Sequence, residues 1–92
     1  MFSNSGSTIQ SDSGFSVKPT GRAGIEYREG EKSMLVDSEL LAGENGEVIW
    51  KDSIRAWMPP FDKEQLSQEK REEILANICA AYAFAKVVLE VS

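Results

Sequence analysis

The sequence predicts an α+β domain: an antiparallel meander of about five short strands, one long amphipathic helix packed on the sheet, and a C-terminal strand. Apolar and polar residues alternate between glycine-containing turns through the first half of the chain. From residue 67 the apolar period changes to three and four, and the chain then ends in a β-branched run. Ninety-two residues make one domain. We expect a flexible N-terminus over residues 1–6 and a single domain over residues 7–92.

The predicted strands of the meander are Ser7–Ser11, Phe15–Pro19, Gly24–Glu29, Lys32–Ala42 and Glu47–Asp52. Asn45-Gly46 is a strong hairpin signal between the last two. Asp-Ser dipeptides recur at residues 12–13, 37–38 and 52–53, where Asp and Ser side chains are expected to bond backbone amides at strand ends or bends.

The helix is predicted to run from about Ser67, its N-cap, to Ala85. Its core face comprises Ile74, Leu75, Ile78, Cys79, Tyr82 and Ala85, while Lys70, Glu73, Asn77 and Ala80 are expected to point away. Val87–Val91 follows as the final strand.

The side chains predicted to face inward across the sheet are Ile25, Tyr27, Val48, Trp50, Val87, Leu89 and Val91. This set is more than one helix of about 10 Å width can cover. Either the sheet curls sharply, or an apolar patch stays exposed and pairs two copies of the chain. We expect a homodimer.

Negative charge is concentrated in one segment. Seven acids and two bases lie between Glu26 and Glu47, which gives that segment the whole net charge of −5, since the remaining eight acids and eight bases balance. No basic stripe for nucleic acid is present. Two interpretations stay open: the segment attracts a partner with a basic face, or it is a solvated sheet face that keeps a small protein soluble.

A cytoplasmic location without membrane contact is expected. The single cysteine, Cys79, excludes an internal disulfide and fits a reducing compartment. The N-terminal residues lack the basic and apolar stretches of a secretory signal. The longest apolar run, Ile78–Ala85, is far shorter than the about 20 residues that span a membrane.

Catalysis is not predicted. Without histidine, histidine-based triads and zinc sites are excluded. An acid–base pair of Asp37 and Asp52, or a divalent-metal cluster that adds Glu39, is conceivable but unspecific. Cys79 on the apolar helix face is interpreted as a structural thiol. We predict no enzyme, no cofactor and no metal.

The stretch "VIWKDSIRAWMPPFD" (Val48–Asp62) contains both tryptophans and two adjacent prolines. The prolines fix the backbone and end the strand near Met58, so that Trp57, Met58 and Phe61 stand on a stiff corner. Such a corner is either a plug over the sheet–helix junction or an anchor for a partner.

Two stretches carry a family resemblance: "YREGEKSMLVDSELL" (Tyr27–Leu41), and "VIWKDSIRAWMPPFD" with a helix opening "LSQEKREEILANI". Together they resemble the bacterial immunity protein 74 family over roughly Ile9 to Val91. The resemblance implies an α+β antidote of a polymorphic toxin system, one that binds a cognate toxin and has no enzymatic activity. The positions that match the family's pattern are Asp37, Glu39, Asp52, Trp57 and Pro60.

The hypothesis is therefore a non-enzymatic inhibitor that occludes a toxin. Its predicted contact residues are Glu29, Glu31, Asp37, Glu39, Glu44, Glu47, Asp52, Trp57, Met58 and Phe61. The alternative is a small structural or scaffolding domain that acts as a homo-oligomer.

Overall fold

The structure, a computed structural model, describes residues 2–6, 8–20, 23–40 and 46–92. Its strands are β1 (Phe2–Ser5), β2 (Thr8–Ser11), β3 (Phe15–Pro19), β4 (Ala23–Glu29), β5 (Lys32–Leu40), β6 (Gly46–Ile49) and β7 (Val88–Val91). A short 3-10 helix (Lys51–Ser53) follows β6, and one long helix, α1 (Gln68–Phe84), precedes β7. The predicted α+β fold is confirmed. Of the predicted Asn45-Gly46 turn, Asn45 lies outside the described residues and Gly46 begins β6.

The seven strands form one curled sheet in which each strand neighbours the next in sequence. The first six pair antiparallel, whereas β6 and β7 are parallel. The parallel pair requires a crossover, because the chain must return to the starting end of the sheet, and α1 lies within this connection. That return path places α1 against one face of the sheet.

The core lies between α1 and that face. From β4 and β5, Ile25, Tyr27, Met34 and Val36 are almost completely buried. Ile74, Ile78, Ala81 and Tyr82 provide the buried side of α1, in agreement with the predicted amphipathic period. The predicted N-cap is also confirmed, since the Ser67 hydroxyl accepts a hydrogen bond from the Lys70 amide at 3.0 Å.

The N-terminal residues extend this sheet. Phe2–Ser5, within the segment that the sequence assigns to a flexible N-terminus, form the edge strand β1. The Phe2 ring packs edge-on against Phe15, with ring centroids 5.8 Å apart, and against Phe84 at 5.5 Å. These aromatic contacts attach β1 to the remainder of the core.

Two predicted inward side chains lie elsewhere. Val48 is only half-buried, and Trp50 is 37 % exposed. The residue of β6 that enters the core is instead Ile49, because Glu47 and Ile49 share the face toward α1. The expectation that Val48 and Trp50 face inward is therefore wrong, and the set of side chains that α1 must cover is smaller than predicted.

A polar network also joins the helix to the sheet. Asn77 donates a hydrogen bond to the Tyr27 hydroxyl at 2.9 Å, and that hydroxyl donates to Glu29 at 3.2 Å. Lys70 contacts Glu29 and Glu73, each at 2.6 Å. Burial raises the pKa of Tyr27 to about 12. Lys70 and Asn77 were expected to point away from the sheet, which is wrong, since their polar ends reach the rim of the core.

A second polar contact is fully buried. The Tyr82 hydroxyl of α1 donates to the Glu47 carboxylate of β6 at 2.9 Å. Glu47 is only 4 % exposed, so this bond compensates part of the cost of removing a carboxylate from water. Burial, together with the adjacent carboxylate, raises the pKa of Tyr82 well above its usual value.

Replacing Tyr82 by phenylalanine should lower the free energy of unfolding by about 1–3 kcal/mol, because it leaves the buried Glu47 carboxylate without its donor. Urea unfolding measures the change. The double variant Tyr82→Phe, Glu47→Leu should lose less than the single variant, since both polar partners are then removed. An unaffected single variant would contradict this account.

Candidate functional site

The face of the sheet that points away from α1, here called the outer face, is not covered by any helix of the described residues. Alternation along β5 defines it. Met34, Val36 and Ser38 are buried toward α1, whereas Leu35 and Asp37 point to the opposite side and are exposed. An antiparallel sheet that packs one face against a helix can leave its other face in contact with water. This outer face can therefore contact a partner.

A shallow groove crosses the outer face where β4, β5 and the end of β6 meet. Its lining residues are Thr20, Gly24, Leu35, Val36, Asp37, Ser38 and Trp50. Leu35 is 54 % exposed and Trp50 37 %, so two large apolar side chains border the groove in contact with water. Exposed apolar surface of this kind, rimmed by polar groups, is typical of binding sites.

Hydrogen bonds from the backbone fix one wall of the groove. The Trp50 amide donates to the Asp37 carbonyl at 3.0 Å. The Ser53 hydroxyl accepts from the Asp37 amide at 2.8 Å and donates to the Trp50 carbonyl at 2.6 Å. Residues 50–53 therefore hold Asp37 through both its amide and its carbonyl, which fixes the main chain that carries the Asp37 and Trp50 side chains.

A β-bulge forms the other wall. The register between β4 and β5 shifts between Ala23 and Ile25, and Gly24 lies in the left-handed region at φ 93°. The buried Ser38 hydroxyl accepts a hydrogen bond from the Gly24 amide at 2.9 Å. A side chain at Gly24 would place its Cβ 2.9 Å from Thr20 Oγ1, so the site requires glycine.

For Ser38 and Ser53, the expectation that the side chains of Asp-Ser dipeptides bond backbone amides is confirmed.

Carboxylates surround the groove. Asp37 and Glu39 of β5 are exposed, and in the described part of the chain neither carboxylate has a hydrogen bond or ion pair. Glu39 pairs across to Val48, which in turn pairs with Glu90 of β7. Glu26 lies beside Leu35 and makes a long contact, 3.7 Å, with Arg28.

The bases of the outer face lie on the other side of Glu26. Lys18 of β3 pairs across to Glu26, and Arg28 follows on β4. Among the described residues the outer face is therefore polarised, with its acidic half on β5 to β7 and with Lys18 and Arg28 on β3 and β4. A partner that covers the groove meets predominantly negative charge.

The predicted acidic contacts separate into two groups. Asp37 and Glu39 lie on the outer face, Glu31 is exposed in the turn between β4 and β5, and Asp52 is exposed in the 3-10 helix. Glu29 and Glu47 instead serve the fold, since Glu29 bonds Lys70 and Tyr27 while Glu47 is buried against Tyr82. Glu44 lies outside the described residues.

In the proline corner, the burial of Trp57 decides between a core residue and an anchor for a partner. Trp57 is 3 % exposed and stacks on Tyr27, with ring centroids 6.2 Å apart. The Met58 amide donates to the Ser33 carbonyl at 2.7 Å, which attaches the corner to the start of β5. Trp57 is therefore part of the core.

The remaining corner residues are less buried. Met58 is 43 % exposed, whereas Phe61 is half-buried and packs against the core. Lys32 lies 5.5 Å from the centre of the Phe61 ring and 2.6 Å from a Glu64 carboxylate oxygen. Only Met58 among the three predicted corner contacts presents a large, freely exposed surface.

Among residues 2–6, 8–20, 23–40 and 46–92, no group of three or more cysteine or acidic side chains could hold a metal ion. Burial raises the pKa of the Cys79 thiol, so its thiolate is disfavoured. A second groove, between the 3-10 helix and α1, mixes three bases with two acids. No helix in the described part of the chain is long and apolar enough to cross a membrane.

Comparison with known families shows which family the chain belongs to. A family model described as immunity protein 74 matches residues 19–92, which include β4 to β7, the groove and α1. The chain belongs to the immunity protein 74 family. Comparison with curated proteins and with solved structures gives no match. The match begins within β3, so the family's shared region includes the entire groove, whereas β1 and β2 precede it.

The sequence pattern places Trp50 in the core, whereas the structure exposes it. Trp50 and Val48 do share one face of the sheet, as their alternation predicts, but that face is the outer one. The informative signal is the Ile49 side chain between them, which is apolar as well and competes for the core. In a short strand whose residues are nearly all apolar, alternation alone does not select the buried face.

Truncation of the two tryptophans should lower the free energy of unfolding by very different amounts. Trp57→Ala is expected to lower the free energy of unfolding by about 3–5 kcal/mol, because it removes a buried aromatic side chain. Trp50→Ala should cost less than about 1 kcal/mol, since the side chain is partly solvated in the folded state. Chemical denaturation compares both variants with the parent chain. A larger loss for Trp50→Ala would contradict the assigned faces.

Proposed function

We propose that this protein binds a cognate bacterial toxin and neutralises it by occlusion, without catalysing a reaction of its own. Membership of the immunity protein 74 family supports a role in immunity. The observation that carries the binding mode is the groove of the outer face, where Leu35 and Trp50 are exposed. Beside them lie the carboxylates of Asp37 and Glu39, which have no partner among the described residues. An inhibitor that acts by covering a toxin requires such a surface and no catalytic group.

Negative charge on this surface favours a toxin with a basic face. Opposite charges increase the rate at which two proteins meet in the correct orientation, and salt weakens the effect. The apolar groove then supplies the short-range contacts that slow dissociation. Met58, Glu31 and Asp52 remain exposed and extend the proposed contact area, whereas Trp57, Glu29 and Glu47 are occupied within the fold.

A homo-oligomeric scaffold is the second candidate. It is favoured by the exposed apolar side chains of Leu35 and Val88, which are 54 % and 68 % exposed. A second copy could bury this surface, but both copies would bring the same carboxylates together. Repulsion between identical acidic faces opposes a closed two-fold contact there.

The function is tested by producing this chain together with proteins encoded by neighbouring genes, as candidates for the toxin. Cells that produce this toxin should grow only when the parent chain is produced with it, and the two proteins should copurify as a complex. The mass of the free chain, measured by light scattering, separates the two candidates. A stable oligomer that neither binds the toxin nor protects cells would contradict the proposal and favour the scaffold.

Charge removal from the groove should slow association. The variant Asp37→Asn, Glu39→Gln is expected to reduce the association rate roughly 3- to 10-fold at low salt, because two steering charges are lost. It should also flatten the dependence of that rate on salt. Surface-immobilised toxin and a series of salt concentrations measure both effects.

The matched control removes the same charge from α1, on the other side of the sheet, with Glu69→Gln and Glu72→Gln. Both residues are exposed. The control should retain an association rate close to that of the parent chain. Equal slowing by the two double variants would assign the effect to net charge and reject the outer face as the steering surface.

A further inference from the structure

We propose that the groove between Trp50 and Leu35 is a receptor for one arginine side chain of the partner. In this arrangement the guanidinium stacks on the Trp50 indole and pairs with the Asp37 carboxylate. The inference rests on the proposed function, since it specifies which chemical group of the toxin the outer face recognises.

The lining of the groove combines the two properties that arginine needs. Leu35 and the Trp50 ring provide apolar surface, against which the aliphatic stem of an arginine packs. Asp37 provides an exposed carboxylate on the same wall as Trp50. A guanidinium is planar and weakly hydrated, so it can stack on an aromatic face and bond a carboxylate at the same time. A lysine ammonium is a compact charge and is expected to fit less well.

The two recognition groups are preorganised. The Asp37 carbonyl accepts from the Trp50 amide, and Ser53 bonds both the Asp37 amide and the Trp50 carbonyl. The main chain beneath the carboxylate and the indole is therefore held before binding. Less conformational entropy is lost on association when the main chain that carries the binding groups is already ordered.

The charges around the groove argue for a cation over other occupants. Within the described residues the Asp37 carboxylate has no partner, and Glu26 and Glu39 lie on neighbouring positions of the same face. A nucleic acid, an anionic lipid surface or an acidic peptide would be repelled. A purely apolar segment would remove these carboxylates from water without compensation. A basic side chain with an apolar stem satisfies both constraints.

The test uses a small probe and does not require the toxin. The probe is N-acetyl-arginine N-methylamide, and its control is N-acetyl-citrulline N-methylamide, which has nearly the same shape without the charge. Titration into the ¹⁵N-labelled chain is followed by NMR through the two indole N–H signals, with Trp50→Phe as the assignment variant. The Trp57 signal serves as an internal reference, because that ring is buried.

The arginine probe should shift the Trp50 signal saturably and leave the Trp57 signal in place. The citrulline probe should shift it much less. Asp37→Asn and Trp50→Leu should each weaken arginine binding about threefold or more, the latter followed through the Leu35 and Asp37 backbone amides. The control Glu69→Gln should bind like the parent chain, and the dispersion of each spectrum shows whether the variant is folded.

Equal responses to arginine and citrulline, or no response at Trp50, would overturn the inference. An unchanged affinity in folded Asp37→Asn would also overturn it. These results are independent of whether the chain protects cells from the toxin. Protection without arginine recognition would leave the proposed function in place and reject only the receptor, whereas failure of protection would remove the partner on which the receptor depends.

Discussion

One helix has to cover a sheet of seven strands, and the remaining structure follows from that limit. Seven strands at about 4.8 Å spacing make a sheet roughly 29 Å across, whereas a helix with its side chains is about 10 Å wide. The chain meets this mismatch with a curled sheet and with core residues on one face only. β1 and the proline corner add to this cover, since Phe2 packs on Phe15 and Trp57 stacks on Tyr27. The second face of the sheet is left for other use.

The same limit divides the acidic residues by role. Glu47 and Glu29 lie on the side of α1, where Tyr82, Tyr27 and Lys70 provide donors. Asp37 and Glu39 lie on the other side and keep free carboxylates within the described chain. The acidic segment Glu26–Glu47 therefore contains two kinds of carboxylate. Those bonded inside the fold contribute to stability, while the solvated ones can act on a partner.

The strand and helix periods of the sequence predicted most of the fold. β3 has the predicted bounds, α1 begins after the predicted N-cap Ser67, and β7 lies within the predicted Val87–Val91. Local periodicity suffices to predict these elements because a regular alternation of polar and apolar residues leaves only one face that can be buried. The parallel pairing of β6 with β7 was not predictable from local signals, since it depends on how α1 returns the chain.

The candidate site was only partly predictable, for a related reason. The acidic segment and the family resemblance predict Asp37 and Glu39 as contacts, and the structure exposes both on the outer face. The sequence predicts that Trp50 faces inward, whereas the structure exposes it. For Trp57 the sequence leaves core and anchor open, and the structure buries the side chain. The β6 strand ends at Ile49, one residue before Trp50, and a 3-10 helix follows. Trp57 is buried because it stacks on Tyr27 and because Met58 bonds Ser33. Both contacts join residues that lie far apart in the sequence.

Hydrogen–deuterium exchange of the chain, measured free and in complex with the toxin that we propose it binds, tests most directly whether the outer face is the contact surface. The account predicts new protection at residues 35–39 and 48–52, which form the groove of the outer face. Exchange at the core-facing side of α1 and at Trp57 should be unchanged, since these residues are already buried in the free chain. Protection confined to the proline corner or to α1, with residues 35–39 unaffected, would contradict it.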